Sequence, residues 1–459
     1  MVLLVLIMFI NAAAGTHSVL FEYRATIAGM PVNAIDFLTV LAVPVAFVGS
    51  ARYVQTERVH PLLPWLLGLW ALSIAISAVL GMGNLAHGLP LRTYVTQLRN
   101  FMTLPIGILI GYRLLRRPES MRIWPYIQVL CGAATALMVL LFFSDRAQTQ
   151  QTGEGITRLR TVDYATAHAG IAAGVLLFSV LSGTRMLGNG KALLIAGFCL
   201  LGNFATLSRS DWLGALAGLA AVYTVLPREG RALRLLKGAG VLIVLGLLTM
   251  GAIQVASSAL RMDFGAQMVE RVKTLLPGTE NTSAGGKKAW FSRSEGVIRE
   301  LEAWLENPLL GRGIGIQNSG LMERRDDGIG HNSWSDVLVE TGPLGLVAAI
   351  LMVGSCIVVG RRLIRERVSR GSVLMGVIGL VTGAHMLILG MGTGAFNNQR
   401  GGLLLSLVCG MTLRARALQQ HELAHALGEA NSRTSASYGE ADEYGDTVPQ
   451  GNWSTGGYF

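Results

Sequence analysis

The sequence predicts an all-α integral membrane protein with about twelve transmembrane helices and one large extramembrane loop that contains amphipathic helical structure. Three observations predict it. Of 459 residues, 51% are hydrophobic and only 14% charged, with a mean hydropathy of +0.47, whereas a soluble domain carries about 25% charged residues. The apolar runs are continuous and lack period-two alternation, so they read as helices and not as barrel strands. Arginine and lysine concentrate in alternate short loops, the pattern that orients a multi-pass protein.

The apolar segments fall near 2–20, 35–51, 62–86, 96–112, 123–143, 165–184, 192–207, 211–227, 238–258, 335–359, 372–392 and 399–414. Most are long enough, or nearly so, to cross a hydrocarbon core of roughly 30 Å. The first carries no Lys or Arg before its apolar run, so it reads as a membrane helix and not as a signal peptide. The chain divides into nine helices over 1–258, a large loop over 259–334, three helices over 335–414, and a polar tail over 415–459. That tail is rich in Gly, Ser, Glu and Tyr, starts as a helical extension, and is then expected to be disordered.

Orientation follows from the short loops. One set holds Arg52 and Arg58; Arg113, Arg116, Arg117 and Arg122; Arg185 and Lys191; Arg228, Arg231, Arg234 and Lys237; and Arg361, Arg362, Arg365, Arg367 and Arg370. The intervening loops are poorer in basic residues. The first set is therefore expected in the cytoplasm, with both termini, and the 259–334 loop on the opposite side. The net charge of +10 is spread among these loops and does not form a nucleic-acid surface. Cys131, Cys199, Cys356 and Cys409 sit far apart in apolar runs and read as small packing residues, not as a disulfide or metal set.

The large loop is where function is expected. Its second half contains a predicted amphipathic helix, Ala289 to Glu306. Trp290, Val297, Ile298, Leu301, Trp304 and Leu305 form its apolar stripe, and Asn307-Pro308 ends it. This helix is expected to lie on the outer membrane surface or to cap the bundle. Arg293 falls at the stripe's edge, about 20° around the helix from Trp304, while Arg299 points to the solvated face. Arg209 lies in Leu207-Ser208-Arg209-Ser210-Asp211, a tight turn on the outer side. It reads either as a snorkelling or Asp-paired arginine or as a phosphate ligand. Arg158, Arg160 and Arg400 precede outer helix ends and are candidates to line the same cavity.

His331-Asn332 closes the loop where an apolar helix begins. Ser333, with Asp336 three residues on, matches a capping pattern, so the helix is expected to start at Ser333. The positive helix end would keep the His331 imidazole neutral and able to accept a proton from a sugar hydroxyl. Glu340, about two turns in, reads as a buried structural acid or a partner inside the cavity. Gly311-Arg312-Gly313-Ile314-Gly315 lacks the Lys-Ser/Thr and strand context of a nucleotide loop and reads as a flexible turn. His421-Glu422-Leu423-Ala424-His425 fits HExxH, but too few residues follow to build a substrate cleft, so no metal is expected. Asn281-Thr282-Ser283 and Asn452-Trp453-Ser454 fit a sequon short enough to occur by chance.

Taken together, Ser292-Arg293, Trp304, Asn307-Pro308-Leu309-Leu310-Gly311-Arg312-Gly313, and His331-Asn332 followed after nine residues by Gly342-x-x-Gly345 resemble the signature of the O-antigen ligase and Wzy-type polymerase superfamily. Leu207-Ser208-Arg209-Ser210 is similar to that family's second arginine site. The resemblance covers most of the chain up to about Leu413. It implies a bacterial inner-membrane glycosyltransferase with a periplasmic active site. The implied donor is a glycan on undecaprenyl pyrophosphate, and the implied acceptor is lipid A–core or another glycan. In this scheme His331 is the catalytic base and Arg209 and Arg293 bind pyrophosphate. Asn332, Arg158, Arg160, Arg400 and Glu340 are possible supporting residues. No cofactor and no metal are implied. Ligase activity is the first expectation, polymerase activity the alternative, and a flippase the less favoured third.

Overall fold

The computed structural model describes residues 2–13, 25–27, 30–32, 34–48, 59–141, 166–206, 208–227, 296–316, 332–396 and 398–441, with isolated positions 236, 240 and 251. Within them the chain forms α1 (Val2–Ala13), a hairpin of β1 (Ala25–Ile27) and β2 (Met30–Val32), α2 (Ala34–Val48), α3 (Leu62–Ala86), α4 (Leu91–Leu114) and α5 (Pro118–Leu141). There follow α6 (Thr166–Ser182), α7 (Asn189–Ala205) and α8 (Arg209–Val225), then α9 over 296–305. The last three are α10 (Ser333–Glu366), α11 (Arg370–Gly392) and α12 (Gln399–Ala441). The predicted segments fold as helices near their expected bounds, except that α12 runs on to Ala441, well past the expected end near 414, and that the ninth, near 238–258, lies outside the described residues. Among the described residues the one non-helical element is the antiparallel hairpin, registered Ala25 to Val32.

Apart from that hairpin the described elements are all helices, and composition and elements together make this an all-α membrane protein. Among the described residues, α3, α5, α10, α11 and the 399–424 part of α12 are long and apolar enough to cross a membrane. The apolar helices α1, α2, α6 and α7 are shorter. The core sits around α11, which packs against α10, α8, α5, α6 and α12. A second seam joins α12 to α4. Small residues make such seams close, because van der Waals packing, not expulsion of water, holds helices together in lipid. A Cβ on Gly376 would stand 2.6 Å from the Gly360 carbonyl oxygen, and one on Gly410 would stand 2.1 Å from that of Ile108.

The helices sort their ends into two groups. At one end the backbone N of His60 donates to Tyr112 Oη at 3.0 Å, and the Arg414 guanidinium stacks 5.5 Å over the same ring. Arg414 Nε also donates to the Leu115 carbonyl at 3.1 Å. Arg370 reaches the Arg185 carbonyl there, and Arg416 pairs with Glu366. At the other end α7 hands over to α8, where Trp212 Nε1 donates to the Phe204 carbonyl at 3.1 Å. The α11–α12 connection and the start of α10 meet at this second end.

Candidate functional site

The site is built on the first turn of α10. Asn332 is its N-cap, in an extended conformation (φ −127°, ψ 108°), and Asn332 Oδ1 accepts from the Trp334 backbone N at 2.9 Å. The helix starts at Ser333 as expected, but the cap is one residue earlier than the capping pattern implied. The reason is that Ser333 Oγ is engaged elsewhere. It donates to the Thr393 carbonyl at 2.7 Å and accepts from the Phe396 backbone N at 3.1 Å. The Trp334 indole stacks edge-on with Phe396, centroids 4.7 Å apart. The start of α10 is thus fastened to the 393–396 connection.

That connection brings two arginine-bearing helix starts to the same corner. Gly392 lies against Ser210 of α8, so close that a Cβ on the glycine would meet Ser210 Cβ at 2.9 Å. Arg209, the first residue of α8, is therefore one residue from a contact with the segment that holds Ser333. Ser208 at its cap is extended and makes no side-chain cap bond. On the other side Asn398 Oδ1 accepts from the Arg400 backbone N at 3.0 Å. The Arg400 carbonyl is held by Asn11 Nδ2 at 3.2 Å. Gln399 bonds Asp36, which pairs with Arg99 at 3.0 Å, so α2 and α4 also brace this corner. His331, Arg293, Arg158 and Arg160 lie outside the described residues.

Beneath the cap is a buried acidic group that sequence reasoning had only partly identified. Asp336 and Glu340, four residues apart, share one face of α10, and Glu300 of α9 packs against it. Their exposures are 2%, 1% and 1%. Ser335 Oγ reaches both Glu300 Oε2 and the Asn332 carbonyl oxygen, the latter at 3.2 Å. Burial first, and then the neighbouring Asp336 carboxylate, push the Glu300 carboxyl up to about 9. Glu340 Oε1 accepts from the Gly315 backbone N at 3.3 Å. Among the described residues its Oε2 has no hydrogen-bond partner.

α9 does not present its apolar stripe to the bundle. Ile298 and Leu305 are exposed, with Leu309 beyond them at 78%, while the edge that carries Glu300 is the buried one. This arrangement is compatible with a helix that caps the bundle and turns its apolar side outward. It also explains why Glu300 was missed: on an amphipathic helix an acid beside the stripe reads as solvated.

The glycine-rich segment 311–315 is not a loose turn. Gly311, Gly313 and Gly315 all adopt positive φ, of 76°, 84° and 84°, and the segment is wedged between α3 and α10. The Arg312 backbone N donates to the Val339 carbonyl at 2.7 Å, and that of Ile314 to Ser77 at 3.0 Å. Asn84 Nδ2 reaches the carbonyls of Arg312, Gly313 and Ile314 at 3.2, 3.4 and 3.3 Å. α10 breaks to receive it at Gly342, with φ 68° and ψ −172°. Both glycine motifs flagged in the sequence are therefore two sides of one contact. Among the described residues no group of His, Cys, Asp and Glu is placed to hold a metal ion.

Comparison with curated proteins returned no match. The family model described as O-antigen ligase, Wzy_C, matches residues 192–350. The match runs from α7 to the middle of α10, and so includes Arg209, Arg293, Glu300, the 311–315 wedge, His331-Asn332, Glu340 and both glycines of the Gly342-x-x-Gly345 pair. Over this segment the chain is similar to the O-antigen ligase family, a family of ligase- and polymerase-type membrane enzymes.

Proposed function

We propose that the protein transfers a glycan from undecaprenyl pyrophosphate to an acceptor hydroxyl at the periplasmic face of the bacterial inner membrane, with lipid A–core as the acceptor. The observation that carries this reading is the convergence of the α8 start, bearing Arg209, with the capped start of α10, which directly follows His331. In this reading that corner holds the pyrophosphate, and the base immediately precedes the α10 cap in sequence.

In this mechanism His331 accepts the proton of the acceptor hydroxyl as its oxygen bonds to the anomeric carbon. The bond from that carbon to the pyrophosphate oxygen breaks, and undecaprenyl pyrophosphate leaves with the electron pair. Arg209 and Arg293 stabilise the charge developing on it, with Arg158, Arg160 and Arg400 as further cations for the same group. The imidazolium then returns its proton to water. The donor brings its own activation, so the step requires no nucleotide on this side of the membrane. A single displacement of this kind inverts the anomeric centre.

The deciding experiment combines a deletion strain with point variants. Accumulation of long glycan on its carrier is expected for a ligase. Single lipid-linked repeat units would instead assign polymerase activity, and intermediates trapped on the cytoplasmic face would assign a flippase. His331→Ala, Arg209→Ala and Arg293→Ala are each expected to lose transfer by a factor on the order of a hundred or more at matched protein levels. Wild-type glycan display in all three would remove this reading.

A further inference from the structure

Resting on that reading, we propose that Glu300 is a positioning residue for the transfer, acting as a neutral carboxylic acid that donates through Ser335 to fix the Asn332 cap. The argument begins with one proton. Ser335 Oγ touches two oxygens, Glu300 Oε2 and the Asn332 carbonyl, and a hydroxyl carries a single hydrogen. The carbonyl and an ionised carboxylate can both only accept, so an ionised Glu300 would leave one of the two contacts without a hydrogen. Both contacts are hydrogen bonds at once when Glu300 carries a proton and donates it to Ser335 Oγ. The resulting chain runs from the Glu300 carboxyl to the Ser335 hydroxyl to the Asn332 carbonyl, which also accepts from the Asp336 backbone N at 3.0 Å.

The surroundings favour the same protonation state. Among the described residues, the charged groups that face Glu300 from α10 are Asp336 and Glu340, both acids and both buried. On α9 itself Arg299 and Glu302 neighbour it in sequence. The following segment contributes Arg312, whose guanidinium is engaged by Glu306. An ionised Glu300 would put a further negative charge into a site that excludes water, beside Asp336. As a neutral acid it supplies a hydrogen bond instead. Glu300 thereby links the outer helix α9 to the cap that follows His331 in sequence, without itself touching substrate.

The test uses full-length protein in membranes, with the lipid-linked glycan donor and its acceptor, assayed from pH 6 to pH 10. Glu300→Gln retains an N–H donor and no charge, and is expected to transfer within about threefold of wild type. Glu300→Ala and Ser335→Ala are expected to lower kcat by about ten- to a hundredfold with KM for the donor little changed. The double variant is expected to be no worse than either single one, because both break the same linkage. Wild-type activity is expected to fall as pH rises through about 9, where Glu300 ionises, and the Gln variant to lose that alkaline limb.

Two results would overturn the proposal: a Glu300→Gln enzyme as impaired as Glu300→Ala, or a Glu300→Ala enzyme at the wild-type rate. If the alanine variants do not accumulate, the wild-type and Gln pH profiles alone decide it. An active His331→Ala would instead overturn the transfer mechanism, so the two failures are distinguishable.

Discussion

At Asn332 one side chain links the sequence pattern to the site. The His-Asn step was legible as a loop–helix junction, and the structure makes the asparagine itself the cap, through Trp334 N at 2.9 Å. Asn332→Ala is expected to destabilise by about 1 kcal/mol, read as a lower melting temperature in detergent, and Asn332→Asp, which can still cap, to recover most of it. Glu340 is read differently now that its partner is known. Its Oε1 serves the Gly315 backbone N, so Glu340→Gln, whose amide oxygen can accept the same bond, is expected to be tolerated. Glu340→Ala leaves a buried donor unpaired and is expected to cost about 1–3 kcal/mol. Equal loss in the Gln and Ala variants would mean that the charge, and not the hydrogen bond, is what matters at this position. Glu300 was not legible, because a carboxylate on a surface helix is ordinarily solvated. Only the tertiary approach of α9 to Asp336 removes its water. Arg293 precedes Glu300 by seven residues, a spacing that a continuous helix would turn to nearly the same face. This is the edge that the sequence had picked for the arginine alone.

Among the elements, α10 and the 311–315 segment explain each other. Helical periodicity located α10 well, yet it could not show that the helix is interrupted at Gly342. Nor could it show that a glycine-rich stretch some thirty positions earlier fills the interruption, because such contacts depend on backbone proximity and leave no periodic trace. Gly342 occupies a φ,ψ region open essentially only to glycine. A Cβ there would stand 2.7 Å from Leu310 C and 3.0 Å from Gly311 N, both backbone atoms that cannot swing aside. Gly342→Ala is therefore expected to cost at least about 1–3 kcal/mol and to lower transfer by displacing the first two turns of α10. Gly354, farther along the same helix, is the internal control: a Cβ there meets nothing within 4 Å, so Gly354→Ala is expected to be neutral or to stabilise by about 0.5–1 kcal/mol. Comparable loss of folded protein in both variants would show that α10 tolerates no added methyl, and would remove the special role assigned to the break.

For the whole molecule, the alternation of basic loops was the most informative sequence signal, because the positive-inside tendency acts on each loop separately and adds up along the chain. The structure agrees with it in one respect that does not depend on charge. The start of α3, the α4–α5 and α6–α7 connections and the α10–α11 connection gather at one end, around Arg370 and Arg185 and Arg414 and Leu115. The candidate site gathers at the other, around Ser333 and Thr393. Which end faces the periplasm is then a single binary question, and the protein is well suited to a labelling test. Its described cysteines Cys131, Cys199, Cys356 and Cys409 are all buried, so the native background with a membrane-impermeant maleimide should be low. His87, in the α3–α4 turn at the site's end, is exposed. Gly188, before α7 at the opposite end, has open space around its Cα. In spheroplasts, His87→Cys is expected to label directly and Gly188→Cys only after permeabilisation. The reverse pattern would place the Arg209–Asn332 corner on the cytoplasmic side, where nucleotide-activated sugars are available and a lipid-linked donor would no longer be required. The orientation result therefore bears on the chemistry as directly as any active-site substitution.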